Sequence, residues 1–295
     1  MQDEATLKQI VKDKYSQIAN QDKATNASSC CGATTVSKEV YNIMMDDYSD
    51  LNGYAPDADL GLGCGLPTAF AHIQEGDTVI DLGSGAGNDA FVARHETGPT
   101  GKVLGIDFTE AMIKKARDNA EKLGLNNVEF RHGDIDEMPV SDQVADVVVS
   151  NCVLNLVPNK PKVINEIFRV LKPGGHFSIS DIVLVGELPV ELRQDAEMYA
   201  GCVAGAIQKA DYLGQIEQSG FTEITIQKEK SIEIPDDILN RYLDEAAITR
   251  FKQGDIGIFS VTVFARKPGN KNVGFKPKVA LSDLQNECAP GSGCC

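Results

Sequence analysis

The feature that most constrains the fold is an alternation of short apolar strands and helices that begins at residue 78. The strand-like segments read TVIDLG, KVLGIDF, VEFRHGD, DVVVSN and HFSISDIVL, and helical patterns such as TEAMIKKARDNAEKLG and PKVINEIFRVLKPGG lie between them. Strands that are apolar along their whole length are typical of a parallel sheet buried on both faces. The alternation therefore predicts an α/β fold with a Rossmann-like sheet and helices on both sides of it.

The rest of the chain divides around this sheet. Residues 1–60 are predicted to be an N-terminal helical segment with a cysteine-containing loop, NASSCCGATT, and residues 61–185 to be the Rossmann-like domain. Residues 186–268 are predicted to be a helical part, clearest in ELPVELRQDAEMYAGCVAGAI and DYLGQIEQSG, plus edge strands in TEITIQKEKSIEI and IFSVTVFARKP. Residues 269–295 are rich in Pro, Gly, Asn and Lys and are predicted to be a disordered tail.

The net charge and the cysteine content limit which binding partners and which cellular compartment we expect for this chain. The 28 Lys and Arg residues face 43 Asp and Glu residues, and the resulting net charge of −15 repels phosphate backbones and anionic lipid surfaces. We therefore expect no nucleic-acid or membrane partner and a monomer. We expect a cytoplasmic location because no stretch is apolar and long enough to span a membrane and the N-terminal MQDEATLKQIVKDKY lacks the apolar region of a signal peptide. Eight cysteines in a cytosolic chain are typical of reduced thiols that react or bind a soft ligand, and not of a disulfide scaffold.

A nucleotide-binding loop is predicted in VIDLGSGAGNDAF. Asp81 ends a strand, Gly83, Gly85 and Gly87 follow, and a helix comes next. Glycines allow a tight turn and a close approach to a ligand, and the helix start offers unpaired N–H groups. A dinucleotide fingerprint would place its third glycine at position 88, which is Asn88 here. The spacing therefore argues against NAD.

Two further carboxylates follow neighbouring strands. Asp107 ends KVLGIDF, where a carboxylate accepts hydrogen bonds from a ribose diol, and Asp134 in RHGDIDEMP is placed to reach an adenine amino group. A simple strand-to-helix turn with Asp107 as a helix cap is the alternative. The order of the four cues favours the nucleotide site.

These segments resemble the class I S-adenosylmethionine methyltransferases. The resemblance rests on DLGSGAG, GIDFTEAM, GDIDEMP and RVLKPGGHFSISD and covers about residues 76–185. It implies S-adenosylmethionine as cofactor. The residues that it implies for cofactor binding are Asp81, Gly83, Ser84, Gly85, Gly87, Asp107, Met112, Asp134, Ile135 and Asn151.

Three cysteines are expected at the same crevice. Cys152 follows the fourth strand, Cys64 lies in the Gly-rich loop before the first strand, and Cys202 lies in the helical part. Thiolates select soft centres, and trivalent arsenic binds up to three sulfurs and keeps a lone pair that can attack a sulfonium methyl. Such a transfer needs no general base. The four histidines are interpreted as surface or structural residues: His72, His95, His132 and His176.

Methyl transfer raises arsenic formally to the pentavalent state, so a return to the trivalent state needs two electrons. A further thiol could supply them by closing a disulfide with a ligand cysteine. Cys30 and Cys31 suit this exchange because they lie in a loop of small residues. A thiol reductant of the glutathione or thioredoxin type, the latter with its reductase, would reopen the disulfide.

The cysteine contexts resemble the arsenite methyltransferase family. LGLGCG, SNCVLNLVPNK and MYAGCVAGA carry this resemblance, which extends it to about residues 30–265. It implies that Cys64, Cys152 and Cys202 bind arsenic, supplied as arsenite or its thiol conjugate, and that methylation detoxifies it. The family also has an N-terminal cysteine, which either Cys30 or Cys31 matches. Three cysteines in the tail match nothing in the family: Cys288, Cys294 and Cys295.

Several alternatives stay open from the residues alone. Each cysteine could be a small buried hydrophobe, and a zinc site would need a C-x-x-C pair that the chain lacks. A methyltransferase for a small organic acceptor, such as a quinone precursor, would not need the three cysteines together. A non-catalytic arsenic-binding protein would bind arsenite without turnover, and it would leave the nucleotide site unexplained.

Overall fold

The computed structural model describes residues 4–21, 44, 46–193, 203, 205–253 and 256–269. Within these ranges one mixed sheet contains seven strands: β1 (Thr78–Leu82), β2 (Lys102–Asp107), β3 (Val128–His132), β4 (Ala145–Asn151), β5 (Leu171–Val185), β6 (Thr222–Ser231) and β7 (Gly257–Arg266). Their order is β3-β2-β1-β4-β5-β7-β6. Neighbouring strands from β3 to β5 are parallel, and β7 is antiparallel to both β5 and β6. The predicted Rossmann-like α/β fold is confirmed.

Helices precede the first strand and connect later ones. They are α1 (Glu4–Ala19), α2 (Asn88–Thr97), α3 (Glu110–Lys122), α4 (Lys160–Val170), α5 (Val190–Arg193), α6 (Lys209–Gln218), α7 (Asp236–Leu239) and α8 (Glu245–Gln253). Short 3-10 turns lie at Pro56–Ala58, Thr68–Phe70 and Leu154–Leu156. None of the helices in the described ranges is long and apolar enough to cross a membrane.

Both faces of the sheet are covered by apolar side chains. Val79 and Ile80, which follow each other in β1, are fully buried and belong to two different apolar clusters. Successive side chains of a strand point to opposite faces, so these two clusters lie on opposite sides of the sheet. This explains why the central strands have no polar face.

Helix α4 shows how the sequence determines one covering element. The Asn159 side chain accepts a hydrogen bond from the Lys162 N–H at 3.1 Å and so caps the first turn. The prediction that this helix continues through LKPGG is wrong, because Leu171 begins β5 and pairs with Ala145 of β4. Pro173 explains the early end, since proline has no amide hydrogen and disfavours a helical residue before it.

The C-terminal strands extend the sheet beyond β5, as predicted, but their order is inverted relative to the chain. The last strand, β7, pairs with β5, and β6 lies outside it. Other predicted elements are only partly described. The N-terminal pattern is confirmed in α1 and the DYLGQIEQSG pattern in α6, whereas Val40, Ile43, most of the 190–207 helical prediction and the tail from residue 270 lie outside the described residues.

Candidate active site

A cleft lies at the carboxyl ends of β1, β2 and β4, where the strand order reverses between β1 and β4. Ligands of open α/β sheets bind at such a switch point. The cleft encloses about 1180 Å³, including the space at its mouth. The predicted cofactor residues that line it are Asp81, Gly83, Ser84, Gly85, Asp107, Asp134, Ile135 and Asn151.

Asp107 connects the glycine loop after β1 to the end of β2. One carboxylate oxygen accepts the Gly85 N–H at 3.0 Å, and the other accepts the Thr109 N–H at 2.8 Å. Burial raises the pKa of Asp107, and these backbone hydrogen bonds counteract the rise. The carboxylate therefore has a fixed position at the cleft wall, and its remaining lone pairs suit a ribose diol.

The remaining two predicted cofactor residues, Gly87 and Met112, are not among the residues that line the cleft. Gly87 has φ +100°, and a Cβ there would lie 2.8 Å from the Phe91 ring and 2.9 Å from the Phe130 ring. Met112 is fully buried, and its sulfur lies 4.0 Å from where a Cβ of Gly85 would be. Both residues therefore pack behind the residues that line the cleft, and their role in cofactor binding stays a prediction.

The cleft is strongly acidic. Its described lining contains five carboxylates, from Asp59, Asp81, Asp89, Asp107 and Asp134, and one cation, that of Lys8. Oδ2 of Asp81 is buried and has no hydrogen-bond partner among the described residues. Burial, and then the negative charges of Asp89 and Asp107, raise the pKa of Asp81 well above its ordinary value. A ligand that brings positive charge relieves this repulsion, and S-adenosylmethionine carries both a sulfonium and an ammonium group, so the residues fit it.

Helix α1 forms one wall of the cleft through Lys8, Val11 and Tyr15. The Lys8 ammonium contacts Asp134 at 2.7 Å and Asp136 at 3.0 Å. Burial lowers the pKa of Lys8, but hydrogen bonds to the two carboxylates outweigh it and raise the pKa above the ordinary value. Asp134, which was expected to meet an adenine, is therefore held by a residue that the sequence did not single out.

Two of the predicted arsenic-binding cysteines lie together. Cys152 lines the cleft, and Cys64 is fully buried in the same apolar cluster, although it is not itself part of the lining. Burial and then the charge of Asp181 raise the pKa of Tyr212, and both cysteines add to the rise. Cys202, Cys30 and Cys31 lie outside the described residues.

A buried polar network next to Cys64 was missed by sequence reasoning. The Tyr48 hydroxyl donates to Asp89 Oδ2 at 2.8 Å, and the Thr68 hydroxyl contacts Asp89 Oδ1 at 3.3 Å. Burial raises the pKa of Asp89 to about 6, although hydrogen bonds from Tyr48, Asn151 and Thr68 lower it. Tyr48 precedes the glycine loop by more than thirty residues and belongs to no motif. Asp89 could have been noticed only as an acidic residue in the first turn of α2.

None of the four histidines is among the described residues that line this cleft. His176 is buried, and its Nε2 lies 2.6 Å from the Ala71 carbonyl oxygen. His132 is on the surface, with its Nε2 2.9 Å from the Phe108 carbonyl oxygen. Nor do three or more His, Cys, Asp or Glu side chains of the described ranges form a group that could hold a metal ion.

Comparison with known proteins shows which proteins this chain is similar to. A family model described as a methyltransferase domain matches residues 73–230. The chain is 39% identical over 281 residues to the arsenite methyltransferase of Halobacterium salinarum, which covers 90% of this chain and 68% of the relative. It is 32% identical over 247 residues to that of Aquipseudomonas alcaligenes, which covers 81% of this chain and 69% of the relative.

A solved structure is similar as well. The crystal structure of an arsenic(III) S-adenosylmethionine methyltransferase from Chlamydomonas reinhardtii superimposes with a TM-score of 0.60 at 30% identity. The match covers 81% of this chain and 76% of the algal protein. The similarity thus extends well beyond the nucleotide-binding half of the sheet.

Proposed function

We propose that this chain, which belongs to the arsenite methyltransferase family, binds trivalent arsenic through Cys64, Cys152 and Cys202 beside the cleft for S-adenosylmethionine. The chain is an S-adenosylmethionine-dependent arsenite methyltransferase. We infer the roles of the individual residues from their positions and their chemistry.

One observation carries the assignment of the cysteines. Cys152 forms part of the wall of the cleft that Asp81 and Asp107 also line, and Cys64 lies in the same apolar cluster as Cys152. A soft thiol next to a nucleotide site suits a soft acceptor, whereas a nitrogen or oxygen acceptor would call for a base or a hydrogen-bonding side chain. Cys202 is assigned to the third sulfur because of its sequence context.

S-adenosylmethionine, when bound, supplies an electrophilic methyl group on its sulfonium sulfur. Asp107 is proposed to accept the ribose hydroxyls, and Asp81 to face the positive charge of the cofactor. The cysteines hold arsenic with its lone pair directed at the methyl group. Each thiol proton leaves with the group displaced from the incoming arsenic compound, as water when that group is hydroxide or as a free thiol when it is a thiolate, so no base is required. The apolar cluster around the cysteines excludes water and limits catalysis to positioning and desolvation.

The reduction that completes the cycle is assigned to Cys30 or Cys31. The thiol of one of these cysteines loses its proton to solvent and attacks the sulfur of an arsenic-bound ligand cysteine. An S–S bond forms, the As–S bond breaks, and its electron pair stays on arsenic, which returns to the trivalent state. A reductant of the glutathione or thioredoxin type, the latter with its reductase, reopens the disulfide.

We further propose that the enzyme is a monomer, that it lies in the cytoplasm and that it detoxifies arsenic. Residues 61–185 bind the cofactor, and residues 186–268 contribute the arsenic-binding helical part. The segments 1–60 and 269–295 supply the exchanging cysteine and a cysteine-containing tail, respectively.

The test mixes reduced protein with S-adenosylmethionine and arsenite and separates the arsenic species by chromatography with elemental detection. The parent protein should produce methylated arsenic, and Cys152→Ser should lose at least about 100-fold in rate while it still binds S-adenosylmethionine. Cys288→Ser is the matched control, because it removes a thiol that is assigned no role. It should keep the parent rate.

Full activity of Cys152→Ser would refute the assignment of that thiol. A parent protein that binds arsenite but never methylates it would point to a binding protein. Multiple rounds of methylation by a Cys30→Ser/Cys31→Ser double variant would refute the proposed exchange.

A further inference from the structure

The carboxamide of Asn151 binds the loop that contains Cys64. Its Oδ1 accepts the Cys64 N–H at 2.9 Å, and its Nδ2 donates to the Gly65 carbonyl oxygen at 2.9 Å. We call this pair of hydrogen bonds the Asn151 clamp. Because Asn151 is the last residue of β4, the clamp joins the end of a central strand to a loop 87 positions earlier in the chain.

The same carboxamide has further partners. Its Nδ2 also contacts the Tyr48 hydroxyl and lies 3.2 Å from Asp89 Oδ2. The donor and the acceptor of the side chain are therefore both engaged by protein atoms. Although Asn151 lines the cleft, little hydrogen-bonding capacity is left for a cofactor, which was the role expected from the sequence.

The next residue, Cys152, is held just as firmly. It has φ +61°, in the left-handed region that residues with a side chain rarely adopt. Its N–H donates to the Ser180 carbonyl oxygen of β5 at 2.7 Å. Strained backbone of this kind persists only where the surroundings over-determine it and is concentrated at functional sites. The Asn151–Cys152 dipeptide thus fixes one thiol through its own backbone and the other through a side chain.

The two glycines that flank Cys64 are required by this arrangement. A Cβ at Gly63 would lie 2.6 Å from Asn151 Nδ2, and a Cβ at Gly65 would lie 2.5 Å from Ser180 Oγ. The Cys64 carbonyl oxygen in turn accepts a hydrogen bond from the Ser260 hydroxyl of β7. The Gly-Cys-Gly sequence therefore lets the loop approach β4 and β5 closely enough for the clamp to form.

We infer that Asn151 is a positioning residue that holds Cys64 at a fixed distance and orientation relative to Cys152, and so preorganises the arsenic site. This inference rests on the proposed function of the two cysteines. Binding one arsenic atom through several thiolates is favourable when the thiols are already in place, because the cost of ordering the loop has then been met during folding. Loss of the clamp should weaken arsenite binding and leave cofactor binding intact.

The experiment compares Asn151→Ala with Asn155→Ala. Asn155 is a matched control, since it is also buried, lies four residues later and donates from Nδ2 to a backbone carbonyl, that of Ile182, but has no bond to the Cys64 loop. Arsenite affinity is measured by equilibrium dialysis of reduced protein with elemental detection, and S-adenosylmethionine affinity by calorimetry. We expect Asn151→Ala to weaken arsenite binding by about 10-fold, as two hydrogen bonds are lost, and to change cofactor affinity by less than about 2-fold. Asn155→Ala should change neither affinity by more than about 2-fold.

Three outcomes would overturn the inference. Weaker cofactor binding with unchanged arsenite binding would make Asn151 a cofactor ligand. Equal losses of both affinities would indicate general damage, and unchanged affinities would show that the clamp has no role. If the parent protein itself fails to bind and methylate arsenite, the proposed function fails instead.

A second measurement is available if Asn151→Ala does not fold. The clamp predicts that the Cys64 amide hydrogen of the parent protein exchanges at least about 100-fold more slowly than an unprotected amide. Rapid exchange at that amide would show that the clamp does not persist in solution and would refute the inference.

Discussion

The buried carboxyl group of Asp181 should make the folded protein less stable as pH rises. Asp181 lies in β5, is fully buried, and accepts the Ile182 N–H at 3.0 Å through one oxygen. The Tyr212 side chain and the Asn155 backbone also interact with this carboxyl group. Burial raises the pKa of Asp181 to about 7 from an ordinary value of 3.8, although the charge of Lys160 lowers it.

The direction and the size of the change in unfolding free energy follow from the difference in the pKa of Asp181 between the folded and the unfolded protein. Between pH 3.8 and about 7 the folded protein keeps a proton on Asp181 that the unfolded chain has already lost. The free energy of unfolding therefore falls as pH rises through this window, by up to about 4 kcal/mol for a shift of this size. Asp181→Asn is similar in shape, keeps an acceptor for the Ile182 N–H and cannot ionise. It should be more stable than the parent by about 2–4 kcal/mol at pH 8, where the parent has to bury the charged carboxylate.

The assay is urea unfolding followed by circular dichroism between pH 5 and pH 8, with a thiol reductant present. Asp89 also has a pKa raised to about 6, so the informative quantity is the difference between the variant and the parent at each pH. Asp50→Asn, at an exposed carboxylate, is the control and should follow the parent within about 0.5 kcal/mol. If Asp181→Asn and the parent lose stability in parallel from pH 5 to pH 8, Asp181 is not the group that titrates and the reasoning is refuted.

Three other substitutions test the cofactor cleft. Gly87→Ala should lower the free energy of unfolding by about 2–3 kcal/mol, because the backbone has φ +100° and two aromatic rings occupy the space that a Cβ would need. An unchanged melting temperature in thermal unfolding would contradict this expected loss of stability. Asp107→Asn should weaken S-adenosylmethionine binding by at least about 10-fold in calorimetry, because an amide nitrogen would face the Gly85 or Thr109 N–H; unchanged affinity would remove Asp107 from the site. Lys8→Met should speed amide hydrogen exchange in α1 by about 10-fold, because the ion pairs of Lys8 with two carboxylates are lost. Equal exchange rates in the parent and the variant would show that these ion pairs do not stabilise α1.

The parts of the fold that the sequence predicted are those with local causes. β1, the glycine loop and the start of α2 lie within fifteen residues, and apolar strand periodicity followed by glycines is sufficient to identify them. Asp107 could be predicted for the same reason, since it ends the next buried strand. The position of Cys152 at the cleft followed from its place directly after β4.

The parts that could not be predicted depend on contacts between distant segments. Lys8 approaches Asp134 across 126 positions, and the Asn151 clamp spans 87, so no periodicity or spacing encodes either contact. Gly87 and Met112 were assigned to the cofactor from the motifs that contain them, whereas their buried positions depend on backbone conformation and on packing that the motifs do not encode. The inverted order of β7 and β6 was equally invisible, because both strands have similar apolar patterns.

The placement of β7 between β5 and β6 has a consequence for biosynthesis. On the ribosome, β5 from His176 to Val185 emerges long before its antiparallel partner, Gly257–Arg266, has been translated. Until then β5 and β6 each expose an unpaired edge, and such edges readily pair with other nascent or partly folded chains. A message that ends before codon 257 would encode a polypeptide whose sheet cannot close, and its product should accumulate as aggregate even though every residue of the cofactor cleft is present.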